Sequence, residues 1–404
     1  MTIKSNEDSR SRWQSALMDN YGTPQLALVR GEGSHVWDAD GNRYLDLYTG
    51  IAVNALGHAH PAVVQAVTEQ VGKLGHTSNM FVNQPSLELA EELVNLVGQP
   101  AKVVFTNSGA EANEAAFKLS RLTGRTKLVA FEGAFHGRTM GALSLTGQPA
   151  KRIPFQPMTP EVVHIPFGDV AALQSVVDSD TAAVFVEPIL GEGGVIPAPD
   201  GFLQAAREIT TRAGALLVLD EVQTGMGRCG SWFLYQQSGI VPDVITLAKG
   251  LGGGLPLGAC IGVGAAADLF KPGHHGTTFG GNPISCAAGL AVVRTIAADG
   301  LCEHSAALGK DIAARVEQLH HPLISGVRGA GLLLAIGLAQ PVSAEVAKAA
   351  QAGGYLVNNV QQDSLRLAPP LVLTDADAHD FVAALPRLLD LPSLDMTSLD
   401  SSES

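Results

Sequence analysis

Positive charge is what this chain most lacks: 26 Lys and Arg stand against 39 Asp and Glu, a formal balance of −13. Without a basic excess nothing neutralises a phosphate backbone or an anionic bilayer, which argues against nucleic acid and membrane partners. A small anionic substrate would have to be met by individual, locally placed arginines. No run of about 18 or more apolar residues suggests a membrane span. The polar start MTIKSNEDSRSRW lacks the apolar core of a signal peptide, so the expected compartment is the cytoplasm. Only four cysteines occur, Cys229, Cys260, Cys286 and Cys302, with no CxxC spacing, which fits buried free thiols better than a disulfide framework or a zinc site. His58 with His60, and the adjacent His274 and His275, also come without a ligand set at metal-binding spacing, and no metal is expected.

What the chain has is apolar material: 46% of 404 residues, enough for a large core and for two or three domains. KVVFT (102–106), KLVAF (127–131), AAVFV (182–186), ALLVL (215–219), VITLA (244–248) and ACIGV (259–263) are near-continuous apolar runs. That pattern predicts strands buried on both faces of a mostly parallel sheet. Helical stretches fall between them, over 110–122, after Pro199, and over 282–298. The middle of the chain, 51–299, therefore reads as a large α/β domain. Ahead of it, HVWDADGNRYLDL reads as a hairpin with an Asp-Gly turn. After about 300 come a long helix, two strand-like runs around ISGVRGAGLLLAIGL, a helix near 343–352 and a short strand SLRLA. This segment, 300–390, is expected to form a smaller α+β lobe together with residues 1–50. The acidic, Ser-rich end, 391–404, is expected to be a disordered tail.

The polar residues fall where chemistry would be placed. In an open α/β sheet, ligands sit outside the carboxyl ends of the strands. Asn107 and Ser108 follow one apolar run, Phe135 and His136 another, and Glu187, Asp220 and Lys249 follow three more. A helix opening at Gly109 offers unpaired N–H groups and a positive dipole end, which favours a phosphate, and Ser108 can add a hydroxyl. Asp220 as an anion can keep a pyridine nitrogen protonated, and Gln223 could reach a phenolic oxygen on the same ring. Lys249 could form a Schiff base and, once released, shuttle a proton; burial or nearby positive charge would have to lower its pKa. Each residue also has a plainer reading. A carboxylate after an apolar run can be a helix cap, and Lys249 can open the glycine-rich stretch 250–254 toward solvent. Together they point to an enzyme built around pyridoxal 5'-phosphate.

In order along the chain stand NSGAEANEAAFKLSR, FEGAFHGRT, VEPILGEGGV, LDEVQTGMGR, LAKGLGGGLPLGA, GTTFGGNPISCAA and LRLAPPLVLT. With these motifs the chain, from about 20 to about 390, resembles the class III, fold type I pyridoxal-phosphate aminotransferases, and among them most closely the acetylornithine aminotransferases. The resemblance implies a mostly parallel seven-stranded sheet flanked by helices, with a smaller α+β domain from both termini. It implies that Ser108, Gly109 and Ala110 hold the phosphate, that Phe135 stacks on the ring with His136 beside it, and that Asp220 and Gln223 bind the ring nitrogen and phenolic oxygen. Lys249 would carry the cofactor covalently. Thr278 would reach the phosphate of a neighbouring subunit, making the active unit a homodimer with shared sites.

For substrates the resemblance implies N2-acetyl-L-ornithine as donor and 2-oxoglutarate as acceptor. Guanidinium matches carboxylate with two parallel bonds. Arg138 would take the α-carboxylate of acetylornithine and Arg366 that of glutamate or 2-oxoglutarate, with Glu192 covering Arg366 until a second carboxylate arrives. Asn79 in HTSNMFVNQP, and Gly50 and His35 where ornithine relatives are expected to present tyrosines, favour an acylated amine. Ornithine, succinylornithine, N-succinyl-diaminopimelate and 4-aminobutyrate remain alternative donors. A decarboxylase, a racemase or a non-catalytic cofactor-binding module fits less well, since Lys249, Glu192 and a second arginine are all present. GVGAAA from Gly262 resembles a dinucleotide motif but has no acidic residue about 20 positions on, and GLGGGLPLG lacks the Lys-Ser/Thr of a nucleotide loop.

Overall fold

The computed structural model describes residues 3–390. Seven strands, β1 (Ala101–Thr106), β2 (Lys127–Phe131), β3 (Val162–Ile165), β4 (Thr181–Val186), β5 (Leu216–Asp220), β6 (Val244–Leu247) and β7 (Gly258–Val263), form one sheet in the order β1-β7-β6-β5-β4-β2-β3. The neighbours from β6 to β3 are parallel. β7 is antiparallel to both β6 and β1, so it alone runs against the rest. Its direction follows from its connection. A parallel return needs a crossover of roughly a dozen residues or more, whereas only residues 248–257, with a short 3-10 turn at Lys249–Gly252, separate β6 from β7.

Burial explains which strands the sequence announces. Every residue of β4, β6 and β7 is buried. β3, absent from the expected runs, is a four-residue edge strand with only Ile165 fully covered. The helix Gly109–Arg121 packs across the sheet through Ala112, Ala115 and Ala116, all at 0% exposure. Small side chains bring helix and sheet close together, which holds the helix start near the strand ends.

The hairpin forms between His35–Asp38 and Arg43–Asp46, with Leu28–Glu32 added at one edge and Tyr355–Leu356, parallel, at the other. Both ends of the chain thus share one four-stranded sheet. A second four-stranded sheet joins Ile324–Ala330, Leu333–Leu338, Ser364–Leu367 and Asn358–Gln361, and the helix Leu301–Gln318 packs against it. The helix Asp375–Leu389 has no counterpart among the expected elements; it packs on Leu301–Gln318 and Ser343–Ala352. The expected tail, 391–404, lies outside the described residues. Among the described residues no single helix is long and apolar enough to cross a membrane.

Candidate active site

A cavity of about 420 Å³ opens at the carboxyl ends of five strands of the large sheet. Asn107, Ser108, Gly109 and Ala110 reach it from β1, Phe135, His136 and Arg138 from β2, Glu187 and Glu192 from β4, Asp220 and Gln223 from β5, and Lys249 from β6. At the β1 end, Ser108 caps the helix Gly109–Arg121 by accepting from Glu111 N at 3.2 Å. The N–H groups of Gly109 and Ala110 belong to the first turn, where the helix supplies no partner. A Cβ on Gly109 would stand 2.8 Å from Val222 Cγ1, so glycine is what allows this close approach. The result is a small anion cradle facing the cavity.

Asp220, at the end of β5, is held on three sides. Its Oδ2 accepts from Asn113 Nδ2 and meets His136 Nδ1, each at 2.7 Å, and its Oδ1 accepts from Val222 N at 3.0 Å. Both Asp220 and His136 are buried. Burial acts to lower the His136 pKa, but the hydrogen bond and charge of Asp220 outweigh it and raise the value above that of free imidazole. His136 and Asn113 thus hold the Asp220 carboxyl group from two sides.

Lys249 follows β6 in a left-handed conformation, φ +46°, a costly choice for a residue with a side chain. Among the described residues, its Nζ has no hydrogen-bond partner. Its pKa is lowered: burial disfavours the ammonium form and the nearby Arg366 adds to this, against the opposing charges of Glu192, Glu187 and Asp220. That is the direction a lysine needs to act as nucleophile and base near neutral pH.

The two arginines differ. Arg138 lies at the cavity rim with its guanidinium 5.6 Å from the Phe135 ring centre, and among the described residues it makes no ion pair. Arg366 is 2% exposed on the strand Ser364–Leu367, behind Glu192. Its Nη1 donates to Glu192 Oε1 at 2.5 Å, to the Gly191 carbonyl at 3.1 Å and to Gln223 Oε1 at 3.2 Å, and its Nη2 to Asn358 Oδ1 at 2.8 Å. Burial acts to raise the Glu192 pKa, but Arg366 and then Lys249 outweigh it and lower it, so Glu192 stands as a carboxylate.

A family model for class-III aminotransferases matches residues 17–389. The chain belongs to this family. The acetylornithine aminotransferase of Mycolicibacterium smegmatis is 58% identical over 96% of this chain and 99% of its own length. That of Mycobacterium tuberculosis H37Rv is 60% identical over 94% and 96%. Among solved structures, acetylornithine aminotransferase from Elizabethkingia anophelis superposes with TM-score 0.85 at 34% identity over 96% and 99% of the two chains. Ornithine aminotransferase from Toxoplasma gondii superposes with TM-score 0.92 at 30% identity over 96% and 94%.

Of the residues that the sequence assigns to the site, all but Thr278 and Arg366 line the cavity of this class-III aminotransferase. Thr278 is exposed in the single chain; its neighbour Thr277 accepts from Asn107 Nδ2 at 3.1 Å. Arg366 reaches the cavity only through Glu192 and Gln223. The three supports of the acylated-amine argument, Asn79, Gly50 and His35, all sit outside the cavity lining. His35 pairs with Asp377 at 3.6 Å and does not line the cavity, and Asn79 donates to the Gly280 carbonyl at 3.0 Å, so it shapes a loop. Three residues carry more than the sequence indicated. Asn113 holds Asp220, Glu187 ties two loops of the site together, and Arg228, 3% exposed, donates through Nη1 to the Leu332 and Pro369 carbonyls. Arg228 thereby fastens the segment after β5 to the one after Arg366. The only advance signal for Asn113 was a polar residue four positions after Gly109, on the buried face of an Ala-rich helix.

Proposed function

We propose that the chain transfers the δ-amino group of N2-acetyl-L-ornithine to 2-oxoglutarate, giving N-acetyl-L-glutamate 5-semialdehyde and L-glutamate, with pyridoxal 5'-phosphate as cofactor. The cavity's residues fit that group: an anion cradle at Ser108, Gly109 and Ala110, an aromatic ring at Phe135, a buried carboxylate at Asp220 and an unpartnered amine at Lys249. When bound, the cofactor supplies an electron sink for the carbon that bears the amino group. Asp220, held in place by His136 and Asn113, would accept a hydrogen bond from the ring nitrogen. Gln223 orients the phenolic oxygen. Lys249, its pKa lowered by burial, would take the proton from the substrate carbon that bears the amino group and return it to the carbon on the far side of that nitrogen.

The inequality of the two arginines carries the substrate assignment. Acetylornithine brings one carboxylate, which Arg138 at the rim takes, while its uncharged acyl group leaves the Glu192–Arg366 pair closed. Glutamate and 2-oxoglutarate bring two, and the second displaces Glu192 from Arg366. One cavity thus serves a singly and a doubly charged partner in turn. The similarity to acetylornithine aminotransferases at up to 60% identity supports the acylated donor over free ornithine. A homodimer is supported by adjoining exposed apolar residues: Met80, Phe81 and Val82 at 88%, 72% and 84% exposure, and Phe279 at 60% beside Thr278. Asn79 and Gly280 join these two loops, and His76 stands 5.2 Å from the Phe279 ring. On this reading Thr278 completes the phosphate site of the partner, and the protein works in the cytoplasm.

The test is a half-reaction. Acetylornithine or free ornithine is added to cofactor-loaded enzyme without keto acid, and the visible band of the lysine-bound cofactor is followed. Fast loss with acetylornithine and slow loss with ornithine is expected. The reverse order moves the enzyme to the ornithine branch, and absence of a visible band overturns the role of Lys249.

A further inference from the structure

The loop that carries Glu192 is fastened at backbone atoms on every side, although Glu192 itself must move for the second substrate to reach Arg366. Gly191 N donates to Glu187 Oε2 at 3.1 Å, and the Gly191 carbonyl accepts from Arg366 Nη1 at 3.1 Å. The Glu192 carbonyl accepts from Gln361 Nε2 at 2.9 Å and the Gly194 carbonyl from Arg328 Nε at 2.9 Å. A Cβ on Gly191 would stand 2.1 Å from Gln223 Oε1, so the backbone there lies flat against a cofactor-facing side chain. The Glu192 side chain, 25% exposed, is held instead by its pair with Arg366.

Glu187 is the member of this set that also reaches the loop carrying the other substrate clamp. It follows β4, lines the cavity and is 6% exposed. Its Oε1 accepts from Phe135 N at 2.8 Å, three residues before Arg138, while its Oε2 holds Gly191 N, one residue before Glu192. A buried carboxylate that, among the described residues, meets no guanidinium and spends both oxygens on backbone N–H groups of two different loops is placed to hold those loops. Such bonds are strongest to the ionised carboxylate, and burial pushes the Glu187 pKa up to about 7 against the charge of His136 and these two N–H donors.

We propose that Glu187 is a positioning residue that ties the Phe135–Arg138 loop to the Gly191–Glu192 loop, so that the gate over Arg366 opens by rotation of the Glu192 side chain on a fixed backbone. The proposal rests on the aminotransferase reading given above. It explains why a glutamate lies five positions before the gate glutamate, where an apolar residue would bury at less cost. It also links the two arginine clamps, since the Phe135–Arg138 loop hangs from the same carboxylate as Gly191, whose carbonyl accepts from Arg366 Nη1.

The experiment measures each half-reaction separately, with acetylornithine and with glutamate, in holoenzyme carrying Glu187→Ala, Glu187→Gln, Glu192→Ala and the double variant Glu187→Ala/Glu192→Ala. Loss of a hydrogen bond to a charged group corresponds to about a 10- to 100-fold effect. Glu187→Ala is expected to tighten glutamate binding by about tenfold, because a loosened Glu192 competes less well for Arg366, and that gain is expected to vanish when Glu192 is already alanine. Its effect on acetylornithine, which runs through Phe135 and Arg138, is expected to persist in the double variant. Glu187→Gln keeps the shape but can accept only one of the two N–H groups, so it is expected to impair one half-reaction more than the other; it carries the same cycle if the alanine variant does not fold. Weaker glutamate binding in Glu187→Ala, or effects on glutamate that simply add in the double variant, overturn the gate role. Glu187 variants with unchanged kinetics for both donors overturn the proposal entirely. A wild-type enzyme that reacts with neither donor refutes the aminotransferase reading, and this proposal falls with it.

Discussion

Replacing Asn113 with alanine tests how Asp220 is kept in place. Asn113 is 1% exposed and uses its whole amide: Nδ2 donates to Asp220 Oδ2 at 2.7 Å and to the His136 carbonyl at 2.8 Å, and Oδ1 accepts from Thr246 Oγ1 at 2.9 Å. In the alanine variant Asp220 keeps His136 and the Val222 N–H but loses one charge-assisted bond of roughly 1.5–3 kcal/mol. The His136 carbonyl and the Thr246 hydroxyl lose a partner as well, at roughly 1–3 kcal/mol each. Most of that cost falls on cofactor-free and cofactor-bound protein alike. The share that depends on Asp220 being rigidly placed appears in cofactor affinity, for which about a tenfold weakening, or about 1.4 kcal/mol, is expected. Stripping the enzyme and titrating pyridoxal 5'-phosphate while following the visible band measures it. Asn113→Asp sharpens the test: it keeps the shape and the acceptor for Thr246 but sets a second carboxylate against Asp220, so one of the two is forced toward its neutral form. A larger loss than in alanine is expected above neutral pH. Dissociation constants equal to wild type in both variants would show that Asp220 needs no support from the helix, and the account of the β5 end would be wrong.

Glu192→Ala leaves Arg366 with neutral partners only; glutamate is then expected to bind roughly tenfold or more tightly, because no internal carboxylate competes, while acetylornithine loses its advantage, as single-turnover titrations with each donor would reveal. Glu221→Gln is expected to stabilise the protein at alkaline pH. Burial, with Asp220 adding to it, pushes the Glu221 pKa up to about 7 despite hydrogen bonds from Thr224 and from the backbone of Tyr235 and Leu234. A raised carboxyl pKa contributes stability that is whole below the ordinary value near 4.5 and is lost as pH rises through about 7, an effect of about 3 kcal/mol. Denaturation midpoints of wild type should therefore fall between pH 5 and 8 more than those of the glutamine variant, and parallel curves would refute the assignment. Phe279→Asp, at a side chain 60% exposed beside Thr278, is expected to yield a smaller particle by sedimentation and to depress activity without unfolding the chain; an unchanged particle size would remove this patch from the subunit contact.

How much of this could be read from residues alone follows from where water is excluded. In a sheet covered on both faces, polar residues are driven out of the strands, so the first polar side chain after each apolar run marks a carboxyl end. Asn107, Glu187, Asp220 and Lys249 stand out for that reason, and ligand sites lie at such ends. The same logic fails at a sheet edge, where β3 carries only one fully covered residue and loses its apolar signature. It does not give direction either: β7 has the composition of its parallel neighbours, and only the shortness of 248–257 turns it round. Beyond the strand ends, residues whose work is to hold other residues have no local pattern to declare them. Asn113 looks like an interruption of an Ala-rich helix until Asp220, 107 positions away, is beside it. Arg366 and Glu192, 174 positions apart, became a pair only through a resemblance, and the backbone bonds that fix the gate loop would have stayed hidden even so. A sequence displays the groups that do chemistry because burial isolates them, whereas the groups that aim them are chosen by distances that only the folded chain sets.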